Sequence, residues 1–147
     1  MSELTMKDDL AAQFQREQLH SAAQHGDLAK VEDLLTRGYP VNRFDELGKT
    51  TLHYAADGEH SAVVDRLIEA GANVNAHDER VIGNTPLGSC AGKCSPAMAE
   101  RLIRAGADPT IAGWMQLTAI DRAARRKDPQ ARAVQKLLNA AAKERKG

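Results

Sequence analysis

The sequence predicts an all-α fold, an α-solenoid of about four stacked units that is capped at both ends. Three observations predict this fold. One residue pattern recurs at nearly constant spacing, the apolar residues of each unit are spaced as on helix faces, and a glycine closes each of the first three units. Stacked units bury one continuous core, so a chain of 147 residues is sufficient for a single domain.

The recurring pattern is clearest in residues 45–78. A shift of 33 residues toward the N-terminus aligns Leu52-His53 with Leu19-His20 and Gly71 with Gly38. A shift of 35 residues toward the C-terminus aligns the same unit with Leu87, Cys90-Ala91, Leu102-Ile103 and Gly106-Ala107. This period and pattern resemble the ankyrin repeat, a short loop followed by two antiparallel helices. The resemblance covers the chain from about residue 18 to about residue 143.

The aligned units give a predicted division of the chain. The segments are a helical extension at 1–17, a capping first repeat at 18–44, a second repeat at 45–77, a third repeat at 78–109 with a two-residue loop insertion, a degenerate fourth repeat at 110–143 that forms the C-terminal cap, and a tail at 144–147.

The first unit is predicted to begin with one helix over residues 8–24, because apolar residues including Leu10 and Phe14 form a stripe between polar ones. Gly26 permits the left-handed turn that ends this helix, and Asp27 is placed to cap the next one. A terminal unit needs a polar outer face because nothing stacks on it.

In the second unit, Gly48 marks a tight turn and Thr50-Thr51 leads into a helix. Ala55 and Ala56 are small because helices of neighbouring units stack about 8–10 Å apart. In the third unit, Thr85-Pro86 and Ser95-Pro96 place proline in the first turn of a helix, after a capping residue.

The fourth unit departs from the pattern. It keeps Gly113, but Trp114 and the residues after it replace the threonine-proline start. Its helices are predicted over residues 118–127 and then, with Asp128 as the N-cap and Pro129 in the first turn, to residue 143.

The charge is unevenly distributed along a chain whose net charge is zero. Residues 111–147 hold nine Lys or Arg against three Asp or Glu, whereas residues 1–110 hold eleven against seventeen. The N-terminal sequence lacks a basic segment followed by an apolar run, and no stretch approaches the roughly 18 apolar residues of a membrane span. We therefore expect a cytoplasmic protein without membrane contact, with Cys90 and Cys94 reduced.

The histidines are expected to be structural. In the family that the sequence resembles, the histidine at the position of His53 ties its own turn to the backbone of a neighbouring repeat, and His20 occupies the equivalent place one unit earlier. The two do not converge with a nucleophile or carboxylate, and the five histidines lack the spacing of metal ligands. We therefore expect no metal and no other cofactor.

Cys90 and Cys94 leave a thiol-based or metal-binding role open, because residues four apart share a helix face. The alignment favours a structural role. Cys90 takes the place of Ala55, where cysteine acts as a compact apolar residue. Cys94 takes the place of Gly26, which predicts a positive φ at Cys94.

A basic cluster near the C-terminus leaves a nucleic-acid role open. It comprises Arg122, Arg125, Arg126 and Lys127, followed by Arg132, Lys136 and Lys143. A solvated outer face of the last unit is the favoured interpretation, because the cluster has no interleaved aromatic residues and no accompanying nucleic-acid motif. Phosphate-binding loops, paired carboxylates and a nucleophile elbow are also missing, so the sequence does not predict an enzyme.

The predicted function is to bind another protein through a concave face and the loop tips, as the resemblance to ankyrin repeats implies. The positions carried over are Glu46, Leu47, Lys49, Asp57, Glu79, Arg80, Val81, Ile82, Asn84, Lys93, Trp114 and Met115. Apolar residues at loop tips have no core to fill, which favours contact with a partner for Leu47, Val81 and Ile82. For Trp114, contact and a role in filling its own loop stay equally open.

We expect a monomer that binds neither nucleic acid nor a small molecule. Because the sequence shows no second domain, we expect the protein to act on one partner, as an inhibitor, an immunity-type protein or an adaptor.

Overall fold

The computed structural model describes residues 17–81 and 83–146, which form eight α-helices in four consecutive pairs. The helices are α1 (Gln18–His25), α2 (Leu28–Thr36), α3 (Thr51–Asp57), α4 (Ser61–Glu69), α5 (Pro86–Cys90), α6 (Pro96–Arg104), α7 (Ala119–Ala124) and α8 (Ala131–Lys146). Short 3₁₀ turns at Glu79–Val81 and Trp114–Gln116 precede α5 and α7. The described residues contain no β-strand, so the predicted all-α class is confirmed.

The helices form two layers around one core. The first helices of the pairs stack in the order α1, α3, α5 and α7, while α2 packs on α4 and α6 packs on α8. Buried side chains run without interruption from the first pair to the last. The largest are Leu19, Leu34, Leu52, Leu67, Leu87, Met98, Leu102 and Leu138. Each unit thus buries its apolar face only by stacking on its neighbours.

The predicted helix caps of the first and third units are confirmed. Asp27 accepts a hydrogen bond from the backbone N–H of Lys30 at 3.1 Å. The Thr85 and Ser95 hydroxyls accept from backbone N–H groups three residues later, and a proline occupies the first turn of α5 and α6. Gly26 ends α1 in the left-handed conformation, with φ of 70°.

A histidine joins the second unit to the third, as the resemblance implied, and another bonds within the first unit. His53 Nδ1 accepts from the Thr50 backbone N–H at 3.0 Å, while Nε2 donates to the Asn84 carbonyl at 2.6 Å. One unit earlier, His20 Nε2 donates to the Arg43 carbonyl at 2.9 Å. The role predicted for His53 is therefore confirmed, whereas the bond of His20 to Arg43 stays within the first repeat.

Asparagines form a second row of inter-unit hydrogen bonds, one repeat apart. Asn42 Nδ2 donates to the Gly71 carbonyl at 3.0 Å, and Asn75 Nδ2 donates to the Gly106 carbonyl at 3.1 Å. Each of these asparagines also accepts a backbone N–H of the next unit at 2.7 Å. The carbonyl and N–H groups at the end of each unit are thus satisfied by the unit before it.

The fourth unit is attached differently, because Gly88 stands where a third histidine would be. The side chain of Arg126 is only 4% exposed, and its guanidinium donates to the carbonyls of Ala91 (3.2 Å) and Cys94 (2.8 Å). Its other nitrogens bind the Asp128 carboxylate at 2.7 Å. Arg126 therefore joins the third and fourth units, as His53 joins the second and third.

Two further arginines strengthen this last attachment. Arg122 donates to Asn84 Oδ1 and to the Trp114 carbonyl, each at 3.2 Å. Arg145, on α8, lies 3.2 Å from the carboxylate of Asp108, the residue that follows Asn75 by one repeat.

The predicted helix bounds of the first and last units are partly wrong. The helix predicted over 8–24 corresponds to α1, which ends at His25, and the portion at 8–16 lies outside the described residues. The helix predicted over 118–127 ends at Ala124, and the chain after it turns so that Arg126 reaches its carbonyl partners.

The last helix also differs from its prediction. It starts at Ala131 rather than at Pro129, and the Asp128 carboxylate accepts the Gln130 N–H at 3.2 Å ahead of it. The helix then continues to Lys146, beyond the predicted end at residue 143 and into the predicted tail.

The positive φ predicted for Cys94 is wrong. The Cys94 N–H donates to the Cys90 carbonyl at 2.8 Å, which continues the helical hydrogen-bond pattern beyond α5. The left-handed conformation occurs instead at Glu59, with φ of 60°. The Glu59 carboxylate there accepts from the N–H and hydroxyl of Ser95 in the next unit.

Replacing Arg126 with Ala should destabilise the protein by about 2–3 kcal/mol, because two carbonyls of the third unit lose a charged donor. Chemical denaturation followed by circular dichroism measures this loss. The matched control is Arg125→Ala at the exposed neighbouring position, which should change the free energy of unfolding by less than about 0.5 kcal/mol. Equal effects of the two substitutions would contradict the attachment described above.

Stability should fall as the pH is lowered from about 7 toward 5, in part because of His53. Burial lowers the pKa of His53 below the value of about 6.5 that a free imidazole has. The unfolded chain therefore takes up this proton first, so the contribution is complete above about pH 6.5 and is lost below it. The denaturation midpoint of His53→Gln should depend less on pH in this range. His25→Gln, at an exposed histidine, should keep the dependence of the unchanged protein.

Candidate functional site

The loops that precede α3, α5 and α7 form one continuous edge, called the front edge here. It consists of residues 45–49, 78–81, 83–84 and 113–116. Gly48 has φ of 74°, and a Cβ at this position would collide with the Val81 side chain, so glycine lets the second and third loops touch. Asn84 Oδ1 accepts the backbone N–H of Trp114 at 3.0 Å, which joins the third loop to the fourth.

Four large apolar side chains are exposed in the part of the chain that the structure describes, and all four lie on the front edge. The exposed fractions are 70% for Leu47, 47% for Val81, 56% for Trp114 and 62% for Met115. The fourth loop presents Trp114 and Met115 from its 3₁₀ turn, in which Met115 has φ of 60°. The Trp114 side chain is therefore directed to solvent and does not fill its own loop.

Aspartates shape the second and third loops. Asp45 Oδ1 accepts the backbone N–H groups of Leu47 and Lys49, both at 2.9 Å. Asp78 Oδ1 accepts the backbone N–H of Arg80 at 3.0 Å and its side-chain Nε at 3.1 Å. Sequence reasoning missed both aspartates, although an aspartate a few residues before glycine is a recognised turn signal.

A polar network on the first helices adjoins the front edge. The Tyr54 hydroxyl donates to Asp45, and Lys49 Nζ lies 5.3 Å from the centre of the Tyr54 ring. Lys49 Nζ is also 3.9 Å from the Asp57 carboxylate, which accepts from the Ser89 hydroxyl at 3.2 Å. Burial, followed by the bond to Asp45, raises the pKa of Tyr54 well above its ordinary value and keeps the phenol protonated. Sequence reasoning missed Tyr54 and Ser89.

Most of the other predicted contact residues lie in or beside this surface. Glu46 and Glu79 are exposed on the front edge, and Glu79 lies 3.7 Å from the His77 ring. Arg80 is exposed but paired with Asp78.

Two predicted contact residues have different positions or roles, and a third is not among the described residues. The Asn84 side chain is used internally, by Trp114 and Arg122. Lys93 is exposed in the turn after α5, at the opposite end of that helix from Asn84. Ile82 lies outside the described residues.

The repeat pattern is also found by comparison with known proteins. Residues 19–113 match the family model for ankyrin repeats, in three copies. The chain belongs to the ankyrin repeat family. Ankyrin repeats are protein–protein interaction modules and are generally non-catalytic. The match ends at Gly113, before the fourth helix pair of this array.

Several ankyrin repeat proteins are similar to parts of the chain. Ankyrin repeat and KH domain-containing protein mask-1 of Caenorhabditis elegans is 38% identical over 93 residues, 63% of this chain and 4% of that protein. YahD of Escherichia coli (strain K12) is 41% identical over 69 residues, 47% of this chain and 34% of that protein. Palmitoyltransferase Hip14 of Drosophila melanogaster is 33% identical over 90 residues, 61% of this chain and 14% of that protein.

The chain spans 34% or less of the length of these three relatives. The match to the palmitoyltransferase covers only its ankyrin repeats. The similarity therefore concerns the array and not the activities of the whole proteins.

The C-terminal basic residues of this ankyrin array form only in part the solvated face expected from the sequence. Arg122 and Arg126 both reach the third repeat, where Arg122 donates to the Asn84 side-chain oxygen and Arg126 donates to the carbonyls of Ala91 and Cys94. The exposed cations of the cluster that remain are Arg125, Lys127, Arg132, Lys136 and Lys143. Two arginines of the basic cluster, Arg122 and Arg126, are thus engaged within the protein.

The described residues hold no group of three or more His, Cys, Asp or Glu side chains that could ligate a metal ion. Nor does any helix among residues 17–81 and 83–146 combine the length and the apolar character of a membrane span.

The two cysteines of the array are unpaired and buried, with exposed fractions of 0% for Cys90 and 1% for Cys94. The neighbouring Cys94 thiol, together with burial, raises the pKa of Cys90 well above its ordinary value. Burial and a raised pKa both make the Cys90 thiol a poor nucleophile.

Both thiols should react with a disulfide reagent such as DTNB at least about a hundredfold more slowly in the native protein than in denaturant, because reaction requires local opening of the array. Absorbance of the released thiolate measures both rates. The denatured sample controls for the reactivity of the thiols themselves. Reaction of either thiol at its denatured rate under native conditions would contradict the burial described here.

Proposed function

We propose that the array binds another protein through the front edge and the adjoining polar network of Tyr54, Asp57 and Ser89. The observation that carries this proposal is the position of the exposed apolar side chains. Four repeats offer many surface positions, yet the large exposed apolar groups of the described residues gather on one edge. Contiguous apolar groups with a polar border are typical of protein-binding surfaces.

The rigidity of the edge supports the same function. Asp45 fixes the second loop through two backbone hydrogen bonds, Asp78 fixes the third, and Asn84 joins the third to the fourth. A surface that is already ordered loses little conformational entropy on binding, which favours affinity.

The alternative of nucleic-acid binding has less support, because Arg122 and Arg126 serve the interface between repeats. Free thiols at Cys90 and Cys94 support a reducing compartment, the cytoplasm, as the place of binding.

The test is affinity capture from the cells that make the protein, with quantitative mass spectrometry of the bound proteins. The triple substitution Leu47→Ser, Val81→Ser and Trp114→Ser removes the apolar groups of three loops. It should reduce capture of the specific partner by at least about tenfold, since apolar and aromatic anchors dominate interface energies. Thermal denaturation should show that the triple variant stays folded, because all three side chains are exposed.

The matched control is Arg125→Glu with Arg132→Glu, which reverses two exposed cations of the basic cluster. We expect this control to capture the partner as the unchanged protein does. If only the control loses capture, the partner binds the basic cluster and not the front edge. If the purified partner is an enzyme, inhibition by the unchanged array and not by the triple variant would identify an inhibitor.

A further inference from the structure

The front edge, its polar network and the residues next to them carry more carboxylates than cations. The carboxylates belong to Glu17, Asp45, Glu46, Asp57, Asp78 and Glu79. The cations belong to Arg43, Lys49, Arg80 and Arg122, and the His77 ring adjoins Glu79. Glu46 precedes the exposed Leu47, and Glu79 lies two residues before the exposed Val81. Negative charge therefore borders the apolar part of the edge.

The space between Tyr54 and Asp57 already holds a cation, the side-chain ammonium group of Lys49. Lys49 Nζ lies over the Tyr54 ring at 5.3 Å from its centre and 3.9 Å from Asp57. The aromatic face and the carboxylates are fixed, because Tyr54 donates to Asp45 and Ser89 donates to Asp57. A ring face beside a carboxylate attracts ammonium and guanidinium groups.

The charges around Tyr54 agree with this arrangement. Burial is the largest cause of its raised pKa, but the negative charges of Asp45, Glu17 and Asp57 raise it further. Three carboxylates therefore act electrostatically on the ring.

We propose that the segment bound at the front edge is both basic and apolar. Its aliphatic or aromatic side chains cover the exposed apolar groups, and one of its Lys or Arg side chains occupies the space between Tyr54 and Asp57 where Lys49 Nζ now lies. This inference rests on the proposed function and adds the chemical class of the partner. Charge complementarity across the contact is its basis.

Synthetic peptides of equal length and apolar content, with Lys, Ser or Glu at the polar positions, test the proposal directly. Binding is measured from the anisotropy of labelled peptide and from the fluorescence of Trp114, the single tryptophan of the chain. The Lys series should bind about tenfold or more tightly than the Glu series, and its affinity should fall as salt is added. Equal affinity of the three series, or no binding by the Lys series, overturns the proposal.

Substitution of Lys49 tests where the incoming cation sits. Lys49→Met removes the internal cation and leaves the backbone N–H bond to Asp45, so Lys peptides should bind about threefold more tightly. The matched control is Lys93→Met, which removes one exposed cation at the far end of α5 and should have little effect. Asp57→Asn should weaken the same peptides. Weaker binding by Lys49→Met would show that Lys49 itself contacts the ligand, and would overturn this assignment.

The binding surface and the chemical class of the partner can be disproved separately. Loss of the cellular partner in the apolar triple variant, without a preference for basic peptides, would leave the front edge as the binding surface and remove the basic partner class. Unchanged capture by the triple variant would remove the front edge itself.

Discussion

The structure depends on side chains that reach from one repeat to the backbone of the next at a constant spacing. His53 shows the arrangement most completely, because one imidazole nitrogen accepts from its own turn and the other donates to the Asn84 carbonyl. At the ends of the repeats, Asn42 and Asn75 each donate to a carbonyl of the next repeat and accept one of its backbone N–H groups. Apolar stacking alone would tolerate sliding between layers, whereas these directional bonds fix one register. The alignment of the loops into a single edge follows from that register.

The loops can then diverge in sequence without losing their alignment. The second loop is tight and held by Asp45, the third contains an insertion that forms a 3₁₀ turn, and the fourth presents Trp114. Because the bonds that position these loops engage the backbone of Leu47 and Trp114, the side chains of the tips are free to carry groups that serve no structural purpose. Exposed apolar residues at these tips are therefore informative about function, while the buried leucines report only on stacking.

The sequence was sufficient to predict the fold class, most helix caps and the role of the histidines, because each depends on local pattern or on the repeat itself. The ends of the fourth unit could not be predicted, since the path after Ala124 depends on carbonyls of the third repeat that Arg126 reaches. The conformation of Cys94 was missed for a related reason. Alignment with Gly26 ignored the helical bond from Cys94 to Cys90.

The candidate site was predictable only in part. Loop-tip positions follow from the repeat, and the exposed Leu47, Val81 and Trp114 stood out as apolar residues without a core to fill. Sequence pattern did not reveal the network of Tyr54 and Asp45, because it joins a loop to a helix nine residues later through a single hydroxyl.

The replacement of histidine by Gly88 at the third position affects how the array comes apart. The last helix pair is held by long arginine side chains, and two of the four large exposed apolar side chains of the described residues, Trp114 and Met115, lie on the turn that leads into it. A ligand that spans the second to fourth loops would therefore act as a clamp across this junction. We expect such a ligand to slow amide hydrogen exchange in α7 and α8, although most of the surface that it touches is distant from these helices. Binding at the front edge would thus make the last helix pair more rigid.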